Sequence, residues 1–368
     1  MALTVLVNAG PWLPVPPQGY GGIENVLATL IPELRSRGVR VVLCGVEGCE
    51  LEVDRFVPTL PEPKFRDLAK PYGASMGIAH AHMLKVLHEL REHPVDIVHD
   101  HLEVVGVSML AAAKDVAPVL HTLHWDLAKH PDFYGSFDGA GRVFMNALSP
   151  LQAEQAPANL RRQIVATVPL AVPVEQFPFR AEKDGPFVMV ARINRAKGTD
   201  VAARICRGLG EPLAMAGPVG GHSERSSLEA DTSSNTEADF YREEVEPLEG
   251  EGVTWVGSIG GRELTDLMSG ARAALFPGRW HEPGGTAVIE ALACGTPVIA
   301  MSRGAMPSLI DHGVTGWLAE DEAQFASYLP RAGEIDPAAC RRSAEERFDS
   351  PVMAGRYLEL YESIANTT

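Results

Sequence analysis

The sequence is poor in the features that mark secreted, membrane-spanning and metal-binding proteins. Its five cysteines are scattered and odd in number, without paired CxxC motifs, so neither a disulfide framework nor a zinc site is expected. No apolar run reaches the ~18 residues that a membrane span needs, and residues 3–7 are typical of a buried strand rather than a secretion leader. We therefore expect a cytoplasmic protein without integral membrane contact.

Positive charge is scarce as well. The chain has 32 Lys and Arg against 48 Asp and Glu, a net charge of −16, which disfavours nucleic acid and anionic lipid as partners. Its 45% hydrophobic and 22% charged residues are ordinary for a soluble globular enzyme. Two motifs are also missing. Without GxGxxG a dehydrogenase is disfavoured, and without Asp-x-Asp a diphosphate held through a metal is not expected.

Short apolar runs alternate with amphipathic helical stretches, which predicts parallel sheets with helical crossovers. The alternation stops at a proline-rich segment, residues 169–186, and then starts again. We therefore predict two Rossmann-like domains, residues 1–170 and 171–348, followed by a helix at residues 349–368 that packs across the domain junction. The polar stretch 220–237 is expected to be a flexible surface loop. Strands are predicted at residues 3–7, 39–43, 97–99, 119–122, 143–148, 163–167, 187–191, 212–216, 253–256, 273–276 and 297–300.

The most informative segment is Glu-Pro-Gly-Gly-Thr-Ala-Val-Ile-Glu, which begins at Glu282 and ends at Glu290. The two carboxylates flank a turn made by Gly284, Gly285 and Thr286, after which a helical stretch begins. Free backbone N–H groups at such a helix start favour an anion such as phosphate. Because carboxylates accept hydrogen bonds from hydroxyl groups, the combination suits a nucleotide sugar. The alternative is a solvated helix with two surface glutamates.

Two cations follow the first predicted strand of the second half. Arg192 and Lys197 lie five residues apart around a loop, at the strand end where parallel α/β sheets bind ligands. Arg supplies a planar fork of donors and Lys a point charge, and the two together suit a diphosphate. A solvated basic turn is the alternative, although a chain this acidic has few cations. The pattern favours an anion site that needs no metal.

Two weaker candidates for ligand contact also lie at strand ends. The loop Gly-Tyr-Gly-Gly-Ile-Glu, residues 19–24, follows the first strand and opens the first helix. Within it, Gly21 and Gly22 allow the backbone to approach a ligand without an intervening side chain, although a plain tight turn would look the same. Trp255 ends a strand of the second half. Its ring either lies against a flat base or packs in the core.

Two histidine clusters follow neighbouring strands of the first half. His99 and His101 should point to the same face, because side chains alternate along a strand. His121 and His124 follow the next strand. The spacing matches no standard metal motif, so hydrogen bonding to a polar substrate is favoured over a metal site. His101 and His124 are the candidates, although any single histidine can be a packing residue.

These segments together resemble one known family. The glycine loop, both histidine clusters, the cation pair and the segment from Glu282 to Glu290 are similar to motifs of the bacterial family-4 retaining glycosyltransferases of GT-B architecture. The resemblance runs almost from end to end. It implies an α/β fold of two Rossmann-like parallel-sheet domains facing across a cleft. Further similar segments lie at residues 216–219, 253–257 and 313–316.

The resemblance also implies roles in the second domain. Glu282 would bind donor-sugar hydroxyls and steady the developing oxocarbenium charge, and Glu290 would hold the ribose hydroxyls. Gly285 and Thr286 would offer N–H groups to the phosphate, while the cation pair would neutralise the leaving diphosphate. The family usually has a phenylalanine where Gly284 stands. The wall of the sugar pocket is therefore expected to differ, and donor identity does not follow from the family.

In the first domain the resemblance implies contacts to the donor phosphates, to the transferred sugar and to the acceptor. Gly22 would approach the donor phosphates, His101 would lie beside the sugar or the acceptor hydroxyl, and His124 would lie nearby. The implied reaction is transfer of a hexose or related sugar, with retention, from a nucleoside-diphosphate sugar, with UDP guessed as the nucleotide. No cofactor or metal is expected, and the acceptor would be a small molecule or a glycan. A nucleotide-sugar epimerase and a non-catalytic nucleotide-sugar binding protein are the alternatives.

Overall fold

The computed structural model describes residues 2–17, 21–232 and 235–366. Gly19 and Tyr20 of the predicted glycine loop lie outside these ranges, as do two serines of the predicted polar loop. The chain divides into two compact units, and the division falls inside the proline-rich segment. The first unit consists of Met1–Ala171 with Ser350–Thr368, and the second consists of Val172–Asp349.

The first unit is built on a parallel sheet. Within the described ranges its seven strands have the order β3-β2-β1-β4-β5-β6-β7. All residues of β4 and β5 are buried. Each strand begins with two apolar residues and ends with two buried polar ones, His99 and Asp100 in β4 and His121 and Thr122 in β5. The strands are β1 (Thr4–Asn8), β2 (Arg40–Val46), β3 (Arg55–Leu60), β4 (Ile97–Asp100), β5 (Val119–Thr122), β6 (Val143–Ala147) and β7 (Ile164–Thr167). The helices are α1 (Gly22–Ser36), α2 (Tyr72–Glu92), α3 (Val104–Ala112), α4 (Pro131–Ser136), α5 (Pro150–Gln155) and α6 (Ala158–Arg161).

Helix α1 shows how the sequence pattern produces this packing. Val26, Leu27, Leu30 and Leu34 form its buried face, as the 3.6-residue spacing predicts. The chain leaves the helix through Gly38, whose φ of 83° is readily adopted by glycine because it has no Cβ. The predicted helix and its glycine end are confirmed.

The second unit repeats the architecture. Its parallel sheet has the strand order β10-β9-β8-β11-β12-β13 among the described residues. The strands are β8 (Phe187–Val190), β9 (Leu213–Ala216), β10 (Val253–Gly257), β11 (Ala274–Phe276), β12 (Val298–Met301) and β13 (Gly316–Ala319). The helices are α7 (Thr199–Leu209), α8 (Arg225–Ala230), α9 (Thr236–Phe240), α10 (Gly261–Gly270), α11 (Thr286–Ala293), α12 (Met306–Leu309), α13 (Glu322–Tyr328) and α14 (Pro337–Arg347).

The last helix, α15 (Ser350–Ala365), returns to the first unit and packs against α1. Its buried face is formed by Met353, Tyr357, Tyr361 and Ile364. These residues have the helical spacing that the sequence shows. The helix therefore completes the unit in which the chain began, although the whole second unit lies between them in the sequence.

Two strands were not predicted from the sequence, and two helices fall in a stretch that was predicted to be a loop. Strands β3 and β13 are the outermost strands of their sheets. β3 contains Pro58, which lacks a backbone N–H and is tolerated at a sheet edge. The stretch predicted as a loop, residues 220–237, holds α8 and the start of α9. The loop prediction is therefore wrong for these residues, because their polar composition suits exposed short helices as well as it suits a loop.

Candidate active site

Lys197 and Glu282 meet although 85 residues separate them in the sequence. The Lys197 ammonium pairs with the Glu282 carboxylate, and the side chains keep 22% and 24% of their surface exposed. The Lys197 Nζ also lies 4.6 Å from the centroid of the Trp280 ring, a distance at which a cation is attracted to the ring face. The pair is therefore held in place and remains open to a ligand.

Arg279 fixes the loop that carries Lys197. Its two terminal nitrogens donate to the two carboxylate oxygens of Asp200, at 2.7 and 2.6 Å, in the fork geometry that arginine favours. Its backbone N–H donates to the carbonyl of Ala196 at 2.8 Å, and its Nη1 donates to the carbonyl of Arg195 at 3.0 Å. This ion pair could not be predicted from the sequence, because Asp200 and Arg279 are 79 residues apart and belong to no motif.

A glycine supports the backbone of Glu282. Gly304 has a φ of +58°, and a Cβ atom at this position would lie 2.4 Å from the Glu282 nitrogen and 2.5 Å from its carbonyl oxygen. Next to it, the Ala305 N–H donates to the Glu282 carbonyl at 2.7 Å. The position of Glu282 therefore depends on a close backbone approach that only glycine permits.

The Gly-Gly-Thr turn lies where the sequence places it, at the start of α11. Gly285 precedes the helix with a φ of 65°. The N–H groups of Gly285 and Thr286 have no hydrogen-bond partner in the described part of the chain. Gly284 and Gly285 are buried, whereas Thr286 is partly exposed. Unpaired amides at a helix start carry partial positive charge, and the turn can therefore receive an anion.

Glu290 lies one turn further along α11 and is only partly exposed. Burial raises the pKa of its carboxyl from 4.5 to about 7. No described side chain donates a hydrogen bond to this carboxylate. A half-buried carboxylate without a donor is able to accept hydrogen bonds from the hydroxyl groups of a ligand.

Arg192 contacts a different carboxylate from Lys197. Its Nη1 donates to the Glu237 Oε1 at 3.2 Å, and the Asn194 side-chain amide donates to the same oxygen at 2.8 Å. The Arg192 side chain is about half exposed. Glu237 was not singled out from the sequence, because it lies in the polar stretch that was predicted to be a loop.

Trp255 is a core residue, and the expectation that it contacts a ligand is not supported. Only 4% of its surface is exposed. Its indole N–H donates to the Gly217 carbonyl at 2.8 Å, and its ring centroid lies 5.2 Å from that of Tyr241. The structure agrees with the packing alternative, because a ring enclosed in this way has no free face for a base.

In the first unit the structure brings His101 and His124 together at the ends of β4 and β5. The His101 Nδ1 is 2.8 Å from the His124 Nε2. Burial and neighbouring imidazoles lower the pKa of His124 to about 3 and that of His101 well below its usual value, so both rings are neutral near pH 7. The His101 Nε2 is buried and has no hydrogen-bond partner among the described residues. A neutral ring with one free nitrogen is suited to a hydrogen bond with a substrate hydroxyl.

The His99 ring packs against the His101 ring. The two ring centroids are 4.0 Å apart, which confirms that both side chains share one face. The His99 Nδ1 is hydrogen-bonded to the hydroxyl of Tyr361 at 2.6 Å, and its Nε2 to the hydroxyl of Thr122 at 2.8 Å. Helix α15 therefore contacts the histidine cluster directly. A pairing across 262 residues of sequence could not be anticipated.

Gly21 and Gly22 lie at the start of α1. A Cβ atom at Gly21 would be 2.7 Å from the Pro17 side chain, so this position requires glycine for packing. At Gly22 a Cβ would meet no described atom within 4 Å. The nearby Glu24 is buried, and burial raises the pKa of its carboxyl to about 7. The space above Gly22 is consistent with the approach of a ligand to the backbone.

The described residues include neither a membrane-spanning helix nor a metal-binding cluster. Residues 2–17, 21–232 and 235–366 include no helix that is both long and apolar enough to cross a bilayer. In the same ranges no three or more His, Cys, Asp or Glu side chains are grouped so that they could hold a metal ion. Whether the reaction needs a metal stays a prediction.

Two family descriptions match the two units separately. "Glycosyltransferase Family 4" matches residues 20–161, and "Glycosyl transferases group 1" matches residues 174–342. With a parallel Rossmann-like sheet in each unit, these matches define a protein of the GT-B class. The chain belongs to the family-4 glycosyltransferases of GT-B architecture.

Known proteins agree with this assignment. The chain is 25% identical over 281 residues to the D-inositol 3-phosphate glycosyltransferase of Mycolicibacterium smegmatis, a stretch that covers 68% of this chain and 62% of that protein. The chain thus spans less than two thirds of the length of the curated relatives it matches.

Solved structures show the same fold over the full length. AviGT4, a glycosyltransferase involved in avilamycin A biosynthesis, has a TM-score of 0.67 and 23% identity, with 100% of this chain and 99% of that chain covered. HepE of Anabaena, solved with UDP and glucose, has a TM-score of 0.68 and 15% identity, with 98% and 100% covered.

Proposed function

We propose that the protein is a retaining, metal-independent glycosyltransferase of the cytoplasm. It moves a hexose or related sugar from a nucleoside-diphosphate sugar to the hydroxyl of a small-molecule or glycan acceptor. The observation that carries the proposal is the Lys197–Glu282 pair, which joins a cation for the diphosphate to a carboxylate for the sugar in one partly exposed site. The two family matches support this activity class.

Departure of the nucleoside diphosphate builds negative charge on its terminal phosphate. Lys197 and Arg192 would meet this charge as cations, and the unpaired amides of Gly285 and Thr286 would donate to the phosphate oxygens. Donors that are already oriented lower the barrier, because they need not reorganise when the charge appears. This arrangement would take the place of a divalent ion.

The two glutamates would bind the rest of the donor. Glu282 would accept hydrogen bonds from the sugar hydroxyls and face the positive charge that develops at the anomeric carbon. Glu290, which has no donor among the described side chains, would accept hydrogen bonds from the ribose hydroxyls. A uridine nucleotide is the favoured donor, and the binding of UDP by HepE supports this choice.

In the first unit we assign His101 and His124 to the acceptor and the transferred sugar, and Gly22 to the donor phosphates. The unpaired Nε2 of His101 supports a hydrogen bond with a hydroxyl. In the proposed step the bond from the anomeric carbon to the phosphate oxygen breaks. The new bond to the acceptor oxygen forms on the same face, and the leaving phosphate takes the acceptor proton. No protein carboxylate acts as a covalent nucleophile in this step.

The test is product analysis with the full chain. UDP-, ADP- and GDP-glucose are incubated in EDTA, each with and without a panel of sugar and glycan acceptors. We expect nucleoside diphosphate release that depends on an acceptor, and a product whose anomeric configuration matches that of the donor by NMR. An isomerised nucleotide sugar formed without acceptor would instead identify an epimerase. Activity that appears only with added Mg²⁺ or Mn²⁺ would contradict metal independence.

A further inference from the structure

Glu237 pairs with Arg192, one of the two cations that the proposed function assigns to the donor diphosphate. Its Oε1 accepts a hydrogen bond from the Arg192 Nη1 at 3.2 Å and a second one from the Asn194 side chain at 2.8 Å. Arg192 and Asn194 belong to the loop after β8, whereas Glu237 comes from the first turn of α9. The contact joins two elements at the candidate diphosphate site.

The position of Glu237 is well supported. The Asn235 side-chain oxygen accepts hydrogen bonds from the N–H groups of Glu237 and Ala238, at 3.0 and 3.2 Å, which caps the start of α9. The Asn235 amide in turn donates to the Gly220 carbonyl at 2.8 Å. A carboxylate in the first turn of a helix is favoured by the helix dipole. The carboxylate is thus held beside Arg192 by its own helix.

Each of the two candidate phosphate-binding cations therefore has its own carboxylate. Lys197 pairs with Glu282 and Arg192 pairs with Glu237, so these four charges sum to zero. A diphosphate bound at Arg192 would bring at least two negative charges close to Glu237. Because like charges repel at short distance, the diphosphate and the Glu237 carboxylate would compete for the same guanidinium.

We propose that Glu237 is the counter-ion that the donor diphosphate displaces from Arg192, and that its return promotes release of the nucleoside diphosphate product. This role rests on the proposed function, since it requires a diphosphate at Arg192. It makes Glu237 a residue that weakens product binding. Its loss should therefore tighten the complex, whereas loss of a merely structural contact would leave binding weaker or unchanged.

The first variant is Glu237→Gln, which keeps the side-chain oxygen for Asn194 and removes the charge. UDP, ADP and GDP are titrated into the full chain by calorimetry. For the nucleotide that the wild type binds, Kd should fall about two- to fivefold, the range of a partly exposed ion pair. The dissociation rate, measured by stopped flow, should fall by a similar factor. Product inhibition by the same nucleotide should become stronger.

Two controls isolate the contact. Glu244→Gln removes the same charge from a glutamate that pairs with Arg195 at 3.1 Å, and it should change Kd by less than about half as much. In an Arg192→Ala background, Glu237→Gln should give almost no tightening, because its effect acts through Arg192. A melting curve confirms that each variant is folded.

Several outcomes would overturn the proposal. If Glu237→Gln binds the nucleotide more weakly than the wild type or equally well, Glu237 is a ligand contact or a structural residue. If Glu244→Gln tightens binding as much, the effect is general electrostatics. If the wild type binds none of the three nucleotides, the role of Glu237 falls together with the proposed function. If the wild type binds a nucleotide and Glu237→Gln does not bind it more tightly, the role of Glu237 is contradicted but the proposed function is not.

Discussion

Arg279 and Asp200 form a two-bond ion pair, at 2.7 and 2.6 Å, that ties the loop after β11 to the first turn of α7. The same arginine donates to the backbone of the loop that carries Lys197. Asp200 is almost fully buried. The position of the candidate catalytic lysine therefore depends on a residue that would not itself touch the substrate.

Arg279→Lys should weaken both stability and turnover. Lysine is a point donor and cannot replace the fork, so one Asp200 oxygen loses its partner. We expect the free energy of unfolding in urea to fall by about 1–2 kcal/mol and the turnover rate to fall about tenfold as Lys197 is displaced. Arg204→Lys, in an exposed pair with Glu322, is the control and should change neither by much. If Arg279→Lys and Arg204→Lys lose the same amount of stability and turnover, the Arg279–Asp200 pair does not position Lys197.

Gly304→Ala should strongly reduce activity. The new Cβ would lie within 2.5 Å of Glu282 backbone atoms, so the Glu282 segment must move. Gly313→Ala is a matched control, since it has a similar φ of +78° but its nearest described atom is 3.7 Å away. Both variants should lose about 1 kcal/mol of stability from the backbone strain. Only Gly304→Ala should lose activity, by about 10²-fold. Full activity in folded Gly304→Ala protein would show that the position of Glu282 is unimportant.

Glu290 should make stability fall as the pH rises. The pKa of its carboxyl is about 7 in the folded protein and near 4.5 in the unfolded chain. Between these values the folded state binds more protons, so the free energy of unfolding decreases from pH 4.5 to 7 and stays lower above it, by up to about 3 kcal/mol. Glu290→Gln should therefore gain stability relative to the wild type between pH 5 and 8, measured by urea unfolding. The exposed Glu263→Gln serves as control, and parallel curves for Glu290→Gln and wild type would contradict the raised pKa.

Tyr361→Phe should destabilise the first unit. The change leaves the buried His99 Nδ1 without its 2.6 Å partner, which costs about 1–3 kcal/mol. Tyr328→Phe loses only a hydrogen bond donated by Gln324 at 3.0 Å and should cost less. Chemical denaturation of the full chain compares the two. If Tyr361→Phe proves the milder substitution, the contact between α15 and the histidine cluster contributes little.

The sequence predicted most of the fold because buried parallel strands and helix faces have distinct local patterns. All eleven predicted strands are present, and the helix faces of α1 and α15 are as expected. Strands β3 and β13 were not predicted. β3 is mostly exposed or half-buried and contains a proline, and β13 is only four residues long and begins with a glycine, so neither shows a clear apolar pattern. Trp255 was ambiguous because a tryptophan at a strand end packs or stacks with equal ease.

The candidate site was predicted only where a motif is contiguous in the sequence. The turn before α11, the loop that carries Arg192 and Lys197, and the histidine clusters were found in this way. Contacts between distant residues were not: Glu237 at Arg192, Asp200 at Arg279 and Tyr361 at His99 depend on how the elements pack. No local pattern marks such a partner, because its spacing in the sequence is arbitrary.

The most direct test is binding of a nucleoside diphosphate in EDTA. UDP, ADP and GDP are screened by thermal shift, and the best binder is titrated into the wild type, Lys197→Ala and Arg204→Ala proteins by calorimetry. We predict that one nucleotide raises the melting temperature without a divalent ion. Lys197→Ala should weaken its binding at least about tenfold, while Arg204→Ala binds like the wild type. No shift with any of the three, or wild-type affinity in the Lys197→Ala protein, would contradict a diphosphate site at Lys197.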